Sequence, residues 1–185
     1  VRLQGLNVTA RASGQRASYE AQGRAIAELL NVGAIRLNMV QLAGGVMGTG
    51  TDFRWLGELR AAAMRSGNLS LADLIFKDVR AELRDQTLSA FSSNGSASSM
   101  AISSAKIQGA RVSGLRLRVE RGQASASVKN LGAKAVVAPN LRAEGVAVNG
   151  VSLKQEGGAS RVTAENLRLD SLAAAGAHTG SLNIA

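Results

Sequence analysis

The sequence predicts a mainly β, elongated and repetitive domain: an antiparallel meander or a β-solenoid or groove, with one or two short helices in the N-terminal third. Three observations predict it. The phrase Gly109-Ala-Arg-Val112-Ser-Gly114-Leu-Arg-Leu117 returns 36 residues later as Gly145-Val-Ala-Val148-Asn-Gly150-Val-Ser-Leu153. Within each unit the apolar residues alternate with period two, as in strands with one dry and one wet face. Turn residues recur every 17 or 18 positions, at Arg121-Gly122-Gln123, Pro139-Asn140, Gly157-Gly158 and Gly176. A 36-residue repeat is one up-and-down strand pair, which favours the meander over a solenoid of single coils.

From the N-terminus, Leu3-Gln-Gly5-Leu-Asn-Val8 is a weaker relative of the repeated phrase. Ser18 to Leu30 reads as a short helix, with Tyr19, Ile26, Leu29 and Leu30 on one side and Gly33 at its end. Ile35-Arg-Leu37-Asn-Met39 alternates as a strand, and Gly44 to Gly50 reads as a glycine-rich turn. Asp52 to Arg65 reads as a capped helix carrying Trp55, Leu59 and Ala62. Leu69 to Leu83 fits either a helix capped by Ser70 and Asp73 or alternating strands. Residues 92–104 are rich in serine and read as an exposed, flexible turn. The chain thus reads as a mixed strand and helix part, 1–67, and a repetitive β part, 68–185, within one continuous domain that is expected to be a fragment of a larger protein or a mature form.

In the second half the strand faces are explicit. Leu115, Leu117 and Val119 alternate with Arg116 and Arg118, and Val146 and Val148 with Ala147 and Asn149. At Gly114 and Gly150 the apolar residues change from even to odd numbers. A one-residue slip would turn the dry face outward, so the glycine supplies a bulge or a tight turn. Asn149-Gly150 also suits a type I′ hairpin. The candidate bulge or turn glycines are therefore Gly109, Gly114, Gly145 and Gly150. The candidate apolar face is Leu115, Leu117, Val119, Val146, Val148, Val151, Leu153, Leu167 and Leu169.

Composition narrows the function classes. The chain of 185 residues has no cysteine and one histidine, His178, which excludes a disulfide framework and a Cys/His zinc site. Its net charge is +9, spread evenly: residues 1–92 hold 11 basic and 8 acidic side chains, residues 93–185 hold 11 and 5. With no basic block and no aromatic after Phe91, specific nucleic-acid binding is not expected. Gly45-Val-Met-Gly48-Thr-Gly50 lacks the Lys-Ser/Thr of a P-loop, and Ser103-Ser-Ala-Lys106 has no partner motif of an acyl-transfer enzyme. Asn7, Asn68 and Asn94 open formal glycosylation sequons, and Asp73, Asp78, Glu82 and Asp85 read as surface charge. No enzyme, cofactor or metal site is expected.

Residues 67–91, from Gly67-Asn-Leu-Ser-Leu to Thr87-Leu-Ser-Ala-Phe91, resemble the repeating strands of AsmA-like envelope proteins. Gly145 to Leu172, with Val-Asn-Gly-Val-Ser-Leu and Val-Thr-Ala-Glu-Asn-Leu-Arg-Leu-Asp, is similar both to these and to the OstA-type β-jellyroll of lipopolysaccharide transport. The resemblance implies a long β-groove that carries or shields lipid, in the bacterial envelope (periplasm) or secreted. This chain departs from those families by placing Ala or Gly at many inward positions. The apolar face calls for a cover: a second layer that closes an ordinary core, lipid acyl chains in a groove, or another protein pairing with the open sheet edges. The alternative expectation is a structural or interaction β-repeat module of a larger secreted, phage-like or injection-system protein.

Overall fold

The computed structural model describes residues 2–13, 16–32, 35–120, 123–156, 159–175 and 177–184. Nine long strands run as an antiparallel meander, each hydrogen-bonded to the next: β1 (Arg2–Ser13), β2 (Arg16–Val32), β3 (Ile35–Thr49), β4 (Asp52–Ser66), β5 (Leu69–Arg84), β6 (Thr87–Ile102), β7 (Ala105–Glu120), β8 (Gln123–Ala138) and β9 (Leu141–Glu156). Then β10 (Ala159–Thr163), β11 (Asn166–Leu169) and β12 (Ser171–Ala174) all pair with β9, as one long strand interrupted twice. Finally β13 (Ala177–Thr179) pairs with β12, and β14 (Leu182–Ile184) with β11. The result is one open sheet that runs without interruption across the expected boundary at residue 67.

Two-residue loops make the meander. They fall at 50–51, 67–68, 85–86, 103–104 and 139–140. Asp85 and Gln86 both have positive φ, the geometry that matches strand twist in a type I′ hairpin. Pro139 presets its own φ and Asn140 takes φ of 62°, so this pair turns as the sequence predicted. The other three expected turns, at 121–122, 157–158 and Gly176, lie outside the described residues; the strands flanking the first already pair at Glu120↔Gln123.

The expected helices are absent. Ser18 to Leu30 lies within β2, Asp52 to Arg65 within β4, and Leu69 to Leu83 within β5. Gly44 to Thr49 continues β3, and residues 92–102 belong to β6 rather than to a turn. The helix readings have a common physical cause. Each odd-numbered long strand after β1 has two residues of positive φ near its fifth and tenth positions: Met39 and Gly44 in β3, Asp73 and Asp78 in β5, Gly109 and Gly114 in β7, Gly145 and Gly150 in β9. Gly5 in β1 has φ of 58°. At Met39 and at both corners of β5, β7 and β9 the alternation resets, so the buried side recurs at i and i+3, as in Ile107 with Ala110 and Val112 with Leu115; across Gly44, Leu42 and Val46 keep one phase. Spacing of i and i+3 is also a helical signature. Leu71, Leu74 and Val79 carried that ambiguity.

The corners are matched across the sheet. From Lys106↔Val137 to Glu120↔Gln123, β7 and β8 keep one register, so the neighbouring strand turns where the odd strand does. Register shifts occur only between Gln4 and Asn7 in β1 and between Gly57 and Leu59 in β4, among the described residues. What faces each corner differs. Asp73 accepts a hydrogen bond from Ser98 Oγ at 2.7 Å, and Asp78 one from Ser93 Oγ at 2.7 Å. A Cβ at Gly109 would lie 2.8 Å from Lys134 Cγ, and at Gly114 3.0 Å from Lys129 Cβ. A Cβ at Gly145 or Gly150 would overlap the carboxyl of Asp170 or Glu165, the residues that interrupt the strand beyond β9. The Asn149-Gly150 pair is thus a corner inside β9, not a hairpin.

Among the described residues no second layer covers the sheet. The chain exposes 12519 Å², whereas a compact protein of 19.0 kDa would expose roughly 8,400 Å². The core is a strip along the middle of the sheet, where Val40, Ala61 and Leu74 pack with Leu37, Leu42, Met64, Leu71 and Phe76. Gly95 continues the strip because the ring of Phe76 and the methyl of Val112 already fill its side-chain space, 2.5 and 2.7 Å from where a Cβ would stand. Gly95→Ala is therefore expected to lower stability by about 1–3 kcal/mol through overpacking, and by less in a Phe76→Leu background, as read from urea unfolding midpoints. At the corner, Asp78→Ala is expected to cost about 1–2 kcal/mol, whereas Asp78→Gly loses the Ser93 bond but relieves the backbone and stays within about 0.5 kcal/mol of the parent.

Candidate functional site

The site is a face built from three rows of side chains that cross the strands. The first row, before the first corner, registers Leu30–Leu37–Met64–Leu71–Met100–Ile107–Val136–Ala143–Leu172. The second, between the corners, registers Ala25–Leu42–Leu59–Phe76–Gly95–Val112–Leu131–Val148–Leu167–Ile184. The third, beyond the second corner, registers Val8–Ala21–Val46–Trp55–Ala81–Ala90–Leu117–Ala126–Leu153–Val162. Apart from Gly95, every member of all three is apolar. Cross-strand neighbours of this kind contribute a few tenths of a kcal/mol to about 1 kcal/mol each.

The corners keep these rows on one side. First-row Leu37, Met64 and Leu71 pack against the same cluster as second-row Leu42 and Phe76. In β7, Ile107 before Gly109, Val112 between the glycines, and Leu115 and Val119 after Gly114 are shielded, while Lys106, Arg111, Arg116 and Arg118 are exposed. Without these resets, the first-row segments of β2 to β9 and the third-row segments of β5 to β9 would present their apolar residues to the opposite side.

The residues singled out from the sequence fall into these rows or beside them. Val148 and Leu167 are partners in the second row, with Val146 and Leu169 two residues away on the same strands. Leu117 and Leu153 stand in the third row on either side of Ala126, flanked along their strands by Leu115, Val119 and Val151. The face thins towards the outside: Leu169 is buried, whereas Leu117 and Leu153 are 36% and 39% exposed and Val162 67%. Gly109, Gly114, Gly145 and Gly150 stand at the row boundaries with φ of 60–63°.

Sequence reasoning missed the first half of the face. Asp73 and Asp78 occupy the places of Gly109 and Gly114, so aligning Leu69–Arg84 with Ala105–Glu120 and allowing Asp for Gly extends the 36-residue repeat one unit earlier. Asn and Asp tolerate left-handed backbone better than other side chains. The serines of β6 also have structural tasks. Besides Ser93 and Ser98, buried Ser92 shares its hydroxyl proton between the carbonyls of Lys77 at 2.9 Å and Asn94 at 3.0 Å.

The motifs of small-molecule chemistry do not assemble. Gly48 lies in β3 against the ring of Tyr19, Ser103 lies in a turn, and His178 is exposed in β13. Among the described residues no three His, Asp or Glu side chains group as metal ligands, and no helix is long and apolar enough to cross a membrane. Comparison of the chain with family models, curated proteins and solved structures gives no match.

Proposed function

We propose that this chain is a non-enzymatic lipid-handling protein of the bacterial envelope, and that its apolar sheet face forms a groove wall that holds or conducts acyl chains. The observation that carries this reading is the set of three unbroken apolar rows on a sheet with no covering layer among the described residues. Soluble monomers rarely leave contiguous apolar patches of more than a few hundred Å² in water, so the face calls for an occupant. Its form favours hydrocarbon over a folded partner. The rows are tracks running across the strands; at about 4.8 Å per strand, ten strand positions give a track roughly 43 Å long. Within the rows the indole N–H of Trp55 is the one hydrogen-bonding side-chain group, too little to fix the register of a protein ligand. The resemblance of residues 67–91 and 145–172 to AsmA-like strands points the same way and supplies the envelope setting. Small residues such as Ala81, Ala90 and Ala126 leave room above the third row while keeping it dry.

The second reading, a structural β-repeat module that joins other proteins, rests on the outer side of β1, which has no strand partner among the described residues. Lipid analysis separates the two. Protein purified without detergent is expected to carry phospholipid detectable by mass spectrometry, and brominated-chain phospholipid is expected to quench Trp55, which stands in the third row. The paired change Leu117→Asp and Leu153→Asp is expected to reduce bound lipid by about tenfold, because it places carboxylates against hydrocarbon. Absence of lipid and an unquenched Trp55 would favour the module.

A further inference from the structure

The reverse of the sheet offers a different surface. Side chains two residues apart along a strand share a face, so those alternating with the third row form two rows on the other side. One registers Leu56–Arg80–Phe91–Arg116–Ser127–Ser152, the other Arg54–Glu82–Ser89–Arg118–Ser125–Lys154. Together they line an open concavity of about 1440 Å³. Its lining holds six cationic side chains (Arg54, Lys77, Arg80, Arg116, Arg118 and Lys154) against three anionic ones, Glu58, Asp78 and Glu82.

The arginines there are not equivalent. Elsewhere on the sheet an arginine is commonly held by an acid two residues away on its own strand: Arg60 by Glu58, Arg118 by Glu120, Arg142 by Glu144 and Arg168 by Asp170. Arg80 has Glu82 at that spacing, yet Glu82 reaches across to Arg54 at 3.7 Å. Arg116 has only Arg118 there, and Arg118 takes Glu120. Among the described residues neither Arg80 nor Arg116 has a carboxylate partner. They stand on the two strands flanking Phe91, directly opposite it in register, so their Cα atoms are about 9.6 Å apart. An aromatic ring between two guanidinium groups favours stacking that holds both in place.

We propose that this concavity binds the phosphate of an anionic phospholipid headgroup, with Arg80 and Arg116 as the phosphate ligands and Phe91 and Leu56 against the glycerol and ester region. Arginine presents a planar fork of donors that suits phosphate, and the floor supplies the hydroxyl of Ser127, while that of Ser152 is shared with Thr163 Oγ1 at 2.7 Å. Leu56 is 41% exposed among these charges, which an amphiphile uses and a free anion does not. A single aromatic without a stacking series does not suit a nucleic-acid strand. The charged side chains alternate along their strands with the third row, whose Ala81, Ala90, Leu117, Ala126 and Leu153 also contribute to the lining; the inference rests on the charges and not on the acyl tracks.

The test is isothermal titration of the whole chain with dihexanoyl phosphatidylglycerol below its micelle concentration, alongside dihexanoyl phosphatidylcholine and inorganic phosphate. Phosphatidylglycerol is expected to bind with an affinity that falls with salt, and both other probes about tenfold more weakly or not at all. The paired change Arg80→Gln and Arg116→Gln is expected to weaken binding by about tenfold, with an unchanged circular dichroism spectrum and unchanged Trp55 quenching. Phe91→Leu, which keeps every charge, is expected to weaken it less. The control removes the same charge at Arg36 and Arg65, which pair with each other across β3 and β4, and is expected to leave affinity within about twofold. Equal losses in the two paired variants, equal binding of phosphatidylcholine, or inorganic phosphate binding as tightly as the lipid would each overturn the proposal. So would no binding at all, and persistent Trp55 quenching would then leave the acyl-track reading standing.

Discussion

Everything in this sheet depends on the matched corners that reset side-chain alternation twice in each strand from β5 to β9 and once in β2, β3 and β4. A flat strand of 16 residues with one dry face would need unbroken alternation and a second layer to cover it. Here left-handed residues on the odd strands, with a turn in the neighbour beside them, bend the strand and bring the dry side back. The backbone cost of that conformation falls to glycine in β7 and β9, whose side-chain space is taken by Lys129, Lys134, Glu165 and Asp170. In β5 it falls to aspartate, secured by serine hydroxyls from β6. Each corner is therefore a two-strand device, which explains why the register survives it.

From this follows an arrangement with little cross-section and much surface. Neighbouring strands shield one another between the first and second rows, where Ala61, Ala97 and Ala110 are buried. The abundance of alanine and the scarcity of aromatics have the same cause, since a single layer has no opposing layer into which large side chains could project. Where a large side chain does occur, its neighbour shrinks: Phe76 beside Gly95, Tyr19 beside Gly48. The exposed salt bridges add at most fractions of a kcal/mol each at these solvent-facing positions. Cohesion comes from the backbone ladder and the apolar rows.

The repeat, the meander and the apolar character of the second half were legible because glycine marks the corners there and turn residues mark the ends. The first half was not, for reasons visible at particular residues. Met39, Asp73 and Asp78 do the work of glycine without looking like it, and the corners of β3 and β5 are 34 residues apart rather than 36. Reset alternation puts apolar residues three apart, as at Leu71 and Leu74, and so imitates a helix in 18–30 and 52–65. The serines of 92–104 resembled a loop because their hydroxyls bond to corner residues that sequence does not bring near. The basic concavity was invisible for a related reason: Arg80, Phe91 and Arg116 lie on three strands, and only the register assembles them.

The central claim is that alternation along a strand is reset at both corners so that one side stays apolar throughout. Because the chain has no cysteine, single-cysteine variants carrying a nitroxide at each position from 105 to 120 can map accessibility to oxygen and to a water-soluble nickel complex. The account predicts a period of two whose phase changes at Gly109 and again at Gly114, with 107, 110, 112, 115, 117 and 119 all in the oxygen-rich phase. An uninterrupted alternation through both glycines, or a period near 3.6 residues, would contradict it.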